Sequence, residues 1–217
     1  MKVYFIPGLG ADKRVFRHIK LPAGYEIVHI EWLTPQPGET LQHYAKRLSE
    51  VIDQETPFGL VGLSFGGMLA AEISKLVKPS KTILIASAPS AVNLPPYFKM
   101  GAKLQLHKLL PISLFKNASM AKRLFSTETS EDKELLRTII RETDPVFLRW
   151  AMGAILYWER NPAPPEISHI HGTSDHVLPI RYLQPTHRIE GGGHLMVMNR
   201  ATEVNRVLGE ILEERKS

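Results

Sequence analysis

The sequence contains no cysteine, and this absence excludes several kinds of protein chemistry. A chain without thiols cannot form a disulfide framework, bind zinc through thiolates or use a cysteine nucleophile. The absence is also compatible with a reducing compartment, and we therefore expect a cytoplasmic protein.

The sequence also has few continuous apolar segments. Its first apolar run, MKVYFI, is interrupted by Pro7 and Gly8. A signal peptide needs a longer apolar stretch followed by small residues at the cleavage site. A membrane span needs about 20 apolar residues in succession, and we find no such run. These features predict a soluble protein without stable membrane insertion.

Acidic residues are missing from one long stretch of the chain. The 217 residues carry a net charge of +5, and residues 73–127 include nine Lys or Arg but no Asp or Glu. Basic proteins often bind nucleic acids, but here no Lys/Arg-rich cluster is interleaved with aromatic residues, and no nucleic-acid-binding module is recognisable. We therefore predict a small-molecule substrate and no nucleic-acid partner. The composition leaves the oligomeric state open.

Apolar segments of strand length alternate with segments of helical periodicity. Strands are predicted at residues 2–6, 26–32, 58–63, 82–88, 167–172 and 186–190, and helices at 40–53, at 68–77 and from about 199 onwards. This alternation is typical of an α/β protein, with a mostly parallel sheet of about six strands and helices on both faces. Residues 91–165 interrupt the alternation with several proline-separated helical segments, which predicts a helical insertion.

The third predicted strand ends in the sequence VGLSFGG. The segment Gly62-Leu63-Ser64-Phe65-Gly66 matches the pattern G-x-S-x-G, in which a serine is exposed on a sharp turn between a strand and a helix. Glycines two residues before and after the serine allow the strand and the helix to pass close together. An ordinary tight turn uses glycine in the same way. The strand before Ser64 and the helix after it favour a nucleophile.

Two further residues of the predicted site follow the last two strands. A serine hydroxyl needs a base that takes its proton, and the base needs a partner that orients it. Asp175 in GTSD and His194 in GGGH both come directly after predicted strands. Ligands of open parallel sheets bind at the carboxyl ends of the strands, and the chain order serine, aspartate, histidine is the one expected for this arrangement. We therefore predict Ser64, Asp175 and His194 as catalytic residues.

Backbone amides are predicted to stabilise the oxyanion that forms in an acyl transfer. One donor is the N–H of Phe65, the residue after the nucleophile. The other comes from the loop PGLG after the first strand and is assigned to Leu9.

Together these motifs resemble those of the α/β-hydrolase superfamily. PGLG, GLSFGG, HGTSDHVLP and GGGHL occur in the order and at the distances that are familiar from that superfamily, over nearly the whole chain. The resemblance implies an α/β-hydrolase core made of residues 1–90 and 166–217, with residues 91–165 as the helical cap. One difference is Pro7, which stands where many members carry a histidine.

The resemblance implies hydrolysis of a carboxylic ester through an acyl-enzyme, without a cofactor or a metal. A serine at position 64 argues against the aspartate-nucleophile chemistry of related dehalogenases and epoxide hydrolases. Two alternatives stay open. One is a C–C bond hydrolase or lyase that uses the same three residues, and the other is a non-catalytic binding module on the same fold.

Two other motifs in the sequence are rejected as sites. HIHGTSDH resembles the zinc signature H-x-H-x-D-H, but three residues separate His171 from Asp175 where that signature has one. His169 and His171 are instead expected to share a face of a core strand, away from its carboxyl end. PGLGADKR resembles the start of a dinucleotide-binding loop, but Lys13 occupies the place of the third glycine.

The predicted cap contains a basic amphipathic helix. Lys99, Lys103 and His107 are expected on one solvated stripe, opposite Leu104, Leu106 and Leu110. Such a helix also suits contact with an anionic membrane or attraction of an acidic substrate. The residues predicted to face the pocket are Leu104, Leu106 and Phe115. Trp150, Tyr157 and Trp158 are predicted in the cap interior, with the alternative that one of them lines the pocket.

Overall fold

The computed structural model describes residues 1–105, 107 and 129–214. Six strands form one fully parallel sheet in the order β2-β1-β3-β4-β5-β6. The strands are β1 (Lys2–Ile6), β2 (Glu26–His29), β3 (Phe58–Leu63), β4 (Lys81–Ile85), β5 (Ile167–Gly172) and β6 (His187–Ile189). The predicted fold class is confirmed. The strands β2 and β4 end earlier than predicted, at His29 and Ile85, and β6 is one residue shorter than predicted at each end.

The helices in the described ranges follow the same alternation. They are α1 (Leu41–Ser49), α2 (Phe65–Ile73), α3 (Pro96–Lys103), α4 (Ser130–Glu142), α5 (Pro145–Leu156), α6 (Met196–Asn199) and α7 (Ala201–Glu213). Thr40 caps α1, since its hydroxyl accepts a hydrogen bond from His43 N–H at 3.2 Å. Within the part of the chain that the structure describes, no helix is both long and apolar enough to cross a membrane.

Helices cover both faces of the sheet. Successive side chains of a strand point to opposite faces, so β1 contributes Tyr4 and Ile6 to one layer and Val3 and Phe5 to the other. The first layer contains the apolar faces of α1, α2 and α5. The second contains those of α4, α6 and α7. Burial on both faces explains why the central strand β3 is apolar throughout and fully buried.

The segment between β4 and β5 supplies α3, α4 and α5, as the prediction of a helical insertion requires. Side chains of this segment donate hydrogen bonds to the rest of the chain. They include Tyr97 Oη–H to Val177 O at 2.8 Å, Thr143 Oγ1–H to Gly10 O at 2.8 Å, Trp150 Nε1–H to Glu39 O at 2.8 Å and Trp158 Nε1–H to Glu72 Oε1 at 2.9 Å. The division into a core (residues 1–90 and 166–217) and a cap (residues 91–165) stays a prediction.

Several details predicted for the insertion are wrong. The helix α3 ends at Lys103, and Gln105 has a φ of 48°, so the basic stripe of Lys99 and Lys103 does not continue to His107. His107 instead lines a cavity, described below. Leu104 is 52% exposed and does not face that cavity. Leu106, Leu110 and Phe115 lie outside the described residues.

The three aromatic residues expected in the cap interior differ in their surroundings. Trp158 is buried, and Trp150 packs on Tyr44 with ring centroids 4.4 Å apart, so both lie where the insertion meets the core helices. Tyr157 is 55% exposed, and its hydroxyl donates to Ala102 O at 3.2 Å. The prediction of an interior position is therefore wrong for Tyr157.

Candidate active site

The candidate site lies at the carboxyl ends of the parallel strands. The loops after β1, β3, β5 and β6 carry the predicted residues Leu9, Ser64, Asp175 and His194. β1 and β3 are neighbours in the sheet, whereas β2 lies on the outer side of β1. The chain therefore leaves β1 toward one edge of the sheet and β3 toward the other, which opens a crevice between the ends of β1 and β3.

Ser64 occupies a sharp turn between β3 and α2. Its backbone has φ 53° and ψ −117°, a conformation that costs a non-glycine residue about 1–3 kcal/mol. Hydrogen bonds on both sides hold it there. Ser64 N–H donates to Ile85 O at 2.9 Å, and Ser64 O accepts from Gly67 N–H at 2.9 Å and from the Ser87 hydroxyl at 2.6 Å.

The glycines of the motif are required by close backbone packing. A Cβ on Gly62 would overlap the backbone of Gly66, and a Cβ on Gly66 would overlap the carbonyl oxygens of Ile6 and Pro7. The turn between β3 and α2 thus packs directly against the end of β1. This contact brings the loop after β1 next to the serine.

A continuous chain of hydrogen bonds joins the three predicted catalytic residues. Ser64 Oγ lies 2.8 Å from His194 Nε2, and His194 Nδ1 lies 2.8 Å from Asp175 Oδ2. A carboxylate can only accept, so Nδ1 carries the imidazole hydrogen and donates it to Asp175. The remaining ring nitrogen, Nε2, then accepts from the Ser64 hydroxyl. This tautomer is the one that can take a proton from a serine.

Asp175 is buried in an environment that nevertheless keeps it ionised. Burial disfavours the charged carboxylate, but attraction to His194 and the hydrogen bonds it accepts lower its pKa below the ordinary value. Oδ1 accepts from Val177 N–H at 2.8 Å and from Leu178 N–H at 2.9 Å. These two amides leave Oδ2 directed at His194. The carboxylate of Asp175 thus accepts hydrogen bonds both from the turn that follows it and from His194.

His171 also contacts Asp175, a contact that the sequence analysis missed. Its Nε2–H donates to Leu178 O at 2.8 Å and lies 3.4 Å from Asp175 Oδ2. His169 lies behind it, with Nε2 3.2 Å from His171 Nδ1. The two histidines do share a buried face of β5, but the expectation that His171 lies away from the carboxyl end is wrong. No local pattern marks this contact, because the turn after β5 brings the two residues together.

Both of these histidines are neutral. Burial lowers the pKa of His169 to about 3, with a further contribution from His171, and burial also lowers the pKa of His171. Within the described residues, no cluster of three or more His, Cys, Asp or Glu side chains has the geometry of a metal site.

The two predicted oxyanion donors flank the serine. Phe65 is the first residue of α2, so its N–H has no acceptor within the helix. Leu9 lies in a turn closed by a 3.0 Å hydrogen bond from Ala11 N–H to Gly8 O. Gly8 is packed against Ser64, since a Cβ built on Gly8 would lie 3.4 Å from Ser64 Cβ. The residues that carry the two predicted donors are therefore next to Ser64, Phe65 along the chain and Leu9 through the packing of Gly8.

An apolar cavity of about 360 Å³ opens onto Ser64 and His194. The core contributes Leu9, Met68 and Leu195 to its wall. The insertion contributes Tyr97, Phe98, Gly101, His107, Leu136, Ile140, Met152, Ile155 and Leu156. A cavity of this size and lining suits a small or medium apolar group placed next to the serine hydroxyl.

The family assignment agrees with this architecture. The family model described as "Alpha/beta hydrolase family" matches residues 3–207, and the chain therefore belongs to the α/β-hydrolase family. The recognition predicted from the motifs is confirmed. A search of curated protein sequences finds no significant match.

Solved structures of the same fold include two esterases and a bromoperoxidase. The esterase from Exiguobacterium antarcticum is 18% identical, with 96% of this chain and 90% of that chain covered and a TM-score of 0.72. A thermophilic esterase from Thermogutta terrifontis is 17% identical, covering 98% and 89% of the two chains, with a TM-score of 0.74. The bromoperoxidase from Bacillus anthracis is 19% identical, covering 98% and 92%, with a TM-score of 0.69. At these identities the likeness shows the fold alone.

Proposed function

We propose that this protein is a serine hydrolase that cleaves carboxylic esters of small or medium acyl groups. The observation that carries the proposal is the chain of 2.8 Å hydrogen bonds from Ser64 to His194 and on to Asp175, with the serine end opening into an apolar cavity. In this proposal Ser64 is the nucleophile, His194 is the general base and acid, and Asp175 orients His194.

The reaction follows from the tautomer of His194. Ser64 Oγ attacks the acyl carbon while its proton moves to His194 Nε2, and Asp175 stabilises the resulting imidazolium. His194 then returns the proton to the departing alkoxide, which leaves an acyl group on Ser64. Water enters, gives a proton to His194 and attacks the acyl carbon. The bond between the acyl carbon and Ser64 Oγ then breaks, His194 returns its proton to Oγ, and the carboxylic acid leaves.

The N–H groups of Leu9 and Phe65 are proposed to bind the oxyanion of both tetrahedral intermediates. In comparable sites, removal of one such donor lowers kcat by about 10²–10³. The arrangement requires no metal and no cofactor, because backbone dipoles balance the developing charge.

Two features support an ester substrate. The cavity beside Ser64 is lined mostly by aliphatic and aromatic side chains, which suits the acyl part of an ester. In addition, two of the structural neighbours are named as esterases and a third as a bromoperoxidase, and we adopt the esterase reaction because it fits the apolar cavity. The same three residues also suit the C–C hydrolase or lyase alternative, in which Ser64 assists proton transfer.

Covalent labelling and an ester panel test the proposal. A fluorophosphonate probe is expected to label Ser64, and p-nitrophenyl esters of short and medium chains are expected to be hydrolysed. Ser64→Ala, Asp175→Ala and His194→Ala should each lower turnover by several orders of magnitude, without adding in combination, because the three residues act as a unit.

The controls separate the proposed reaction from its alternatives. Equal labelling of the folded Ser64→Ala variant would show that Ser64 is not the nucleophile. Labelling of Ser64 without turnover of any ester would instead favour C–C cleavage or lyase chemistry. A folded wild-type protein that resists the probe would favour a binding module.

A further inference from the structure

The loop that carries Leu9 is held by side chains from two other parts of the chain. We propose that Thr143 and Trp32 are positioning residues that orient the Leu9 N–H toward the reacting carbonyl of the substrate. This inference rests on the proposed serine-hydrolase function, because it concerns the oxyanion donor of that reaction. Neither residue carries a motif that sequence analysis could recognise.

The direction of the Leu9 N–H depends on the carbonyl of Gly8. Both groups belong to one planar trans peptide unit, so they point in opposite directions. Gly8 O accepts from Ala11 N–H at 3.0 Å, which closes the turn and sets the plane of that unit. Any loosening of this turn rotates the Leu9 N–H away from its target.

Side chains from other parts of the chain also hold this turn. Gly10 has a φ of 69°, a conformation that glycine adopts easily but that does not stabilise the turn. The carbonyl oxygens of Gly10 and Ala11 each accept a hydrogen bond from a side chain outside the loop. Thr143 Oγ1–H donates to Gly10 O at 2.8 Å, and Trp32 Nε1–H donates to Ala11 O at 2.7 Å.

The hydroxyl hydrogen of Thr143 has two possible acceptors, and Gly10 is the better one. Oγ1 lies 2.9 Å from Ile139 O, but that carbonyl already accepts from the Thr143 N–H at 3.0 Å. A hydroxyl carries a single hydrogen. Donation to Gly10 O gives each carbonyl one donor, whereas donation to Ile139 O would give one carbonyl two donors.

Ion pairs hold α4, and with it Thr143, next to the loop that carries Leu9. Arg14 Nη2 lies 2.6 Å from Glu142 Oε2 and 2.6 Å from Asp12 Oδ2, so it links the end of α4 to the residues after the turn. At the other end of α4, Arg17 Nη2 lies 2.7 Å from the buried Asp132. The helix is therefore attached along its length to the segment that follows Leu9.

A pair of threonine variants separates the hydroxyl from the rest of the side chain. Thr143→Val keeps the branched shape but removes the donor, and Thr143→Ser keeps the donor. We expect kcat of Thr143→Val on a p-nitrophenyl ester to fall about tenfold, since small displacements of catalytic groups have effects of this order. KM should change less than twofold, and Thr143→Ser should retain most of the wild-type kcat.

Two further measurements test orientation rather than stability. The Ki of a trifluoromethyl ketone, which forms a tetrahedral adduct with the serine, should rise in Thr143→Val by the same factor as kcat/KM falls. Trp32→Phe keeps an aromatic ring against Phe65 and Phe147 but removes the donor to Ala11, and it should show the same pattern. Equal losses in Thr143→Val and Thr143→Ser, or a wild-type kcat in Thr143→Val, would overturn the inference.

Amide hydrogen exchange keeps this inference distinct from the proposed function. Exchange at Ala11 N–H should be faster in Thr143→Val than in Thr143→Ser, whether or not the protein hydrolyses esters. Unchanged exchange would overturn the role of Thr143 in holding the turn. Suppose that exchange is faster in Thr143→Val but Ser64 of the wild type resists a fluorophosphonate. The role of Thr143 in holding the turn would then stand, and the serine-hydrolase proposal would be refuted.

Discussion

Among single residues, the buried histidines of β5 form a second layer of contacts around the candidate site, because His171 lies 3.4 Å from Asp175 Oδ2. His171 holds the turn that follows Asp175 through Leu178 O, and His169 contacts His171. Both are buried, so each imidazole is neutral in the folded chain, whereas in the unfolded chain it is exposed to water and can bind a proton. Their protonation therefore links the stability of the fold to pH.

We predict that the free energy of unfolding decreases as pH falls below about 6.5, the ordinary histidine pKa. His169 has its pKa lowered to about 3 in the folded chain, so between these values the unfolded chain binds a proton that the folded chain does not. The loss should reach about 1.4 kcal/mol per pH unit for one such group. Urea unfolding between pH 7 and pH 4 measures this slope.

The matched variant for this prediction is His169→Gln, which replaces the imidazole with an amide that does not titrate. Its unfolding free energy should be lower than that of the wild type at pH 7, because contacts are lost, but should depend less steeply on pH. Parallel curves for the two proteins would show that His169 is not the residue responsible.

Among the secondary-structure elements, the junction of β3 and α2 is the one on which the site depends most. Ser64 is exposed because the strand and the helix pass within backbone contact at Gly62 and Gly66. The pattern G-x-S-x-G predicted this turn from the sequence. It did not predict that Gly66 also packs on the carbonyls of Ile6 and Pro7, at the end of β1.

We predict that Gly66→Ala lowers kcat strongly. The new methyl group must displace the end of β1, and with it the loop that carries Leu9. Overpacking of this kind costs about 1–3 kcal/mol of stability. The measurements are kcat on a p-nitrophenyl ester and the midpoint of urea unfolding.

A second glycine of the same elements provides the control. A Cβ on Gly59 in β3 would meet Val3 Cγ1 at 3.4 Å and Lys81 O at 3.8 Å, which is close to ordinary contact. Gly59→Ala should therefore keep near wild-type activity and stability. A Gly66→Ala enzyme with unchanged kcat would contradict the assigned role of this junction.

For the molecule as a whole, the uneven charge of the chain bears on how substrate reaches the site. Lys99 and Lys103 are exposed on α3, whose Phe98 and Gly101 line the cavity beside Ser64. They belong to the acid-free residues 73–127. Positive charge beside a cleft raises the encounter rate of anionic ligands.

We predict that kcat/KM for an anionic ester decreases with added salt more steeply than for a neutral ester of equal size. Salt screens charges over a distance of about 8 Å at physiological ionic strength. Replacing both Lys99 and Lys103 with glutamine should reduce the difference between the two substrates. Identical salt curves for the two esters in the wild type would show that these lysines are only a solvated surface.

Much of this architecture follows from local patterns in the chain. Strand-length segments that alternate with helical periodicity predicted all six strands. The central strand β3 gave the plainest signal, because a strand buried on both faces must be apolar along its length. The loops at the strand ends predicted Ser64, Asp175 and His194, since parallel strands bring their carboxyl ends to one edge. Strand order, by contrast, carries no local signal, and neither do the shortened ends of β2, β4 and β6.

The residues that support the site depend on contacts between distant parts of the chain. Thr143 and Gly10 are hydrogen-bonded across 133 positions, and no periodicity or spacing marks either residue for the other. His107 faces the cavity because α3 ends at Lys103, where helical periodicity predicted that it would continue. Local sequence determines which segments form strands and turns, because those choices depend on nearby backbone and side-chain preferences. Packing of these segments against one another determines which side chains surround the serine.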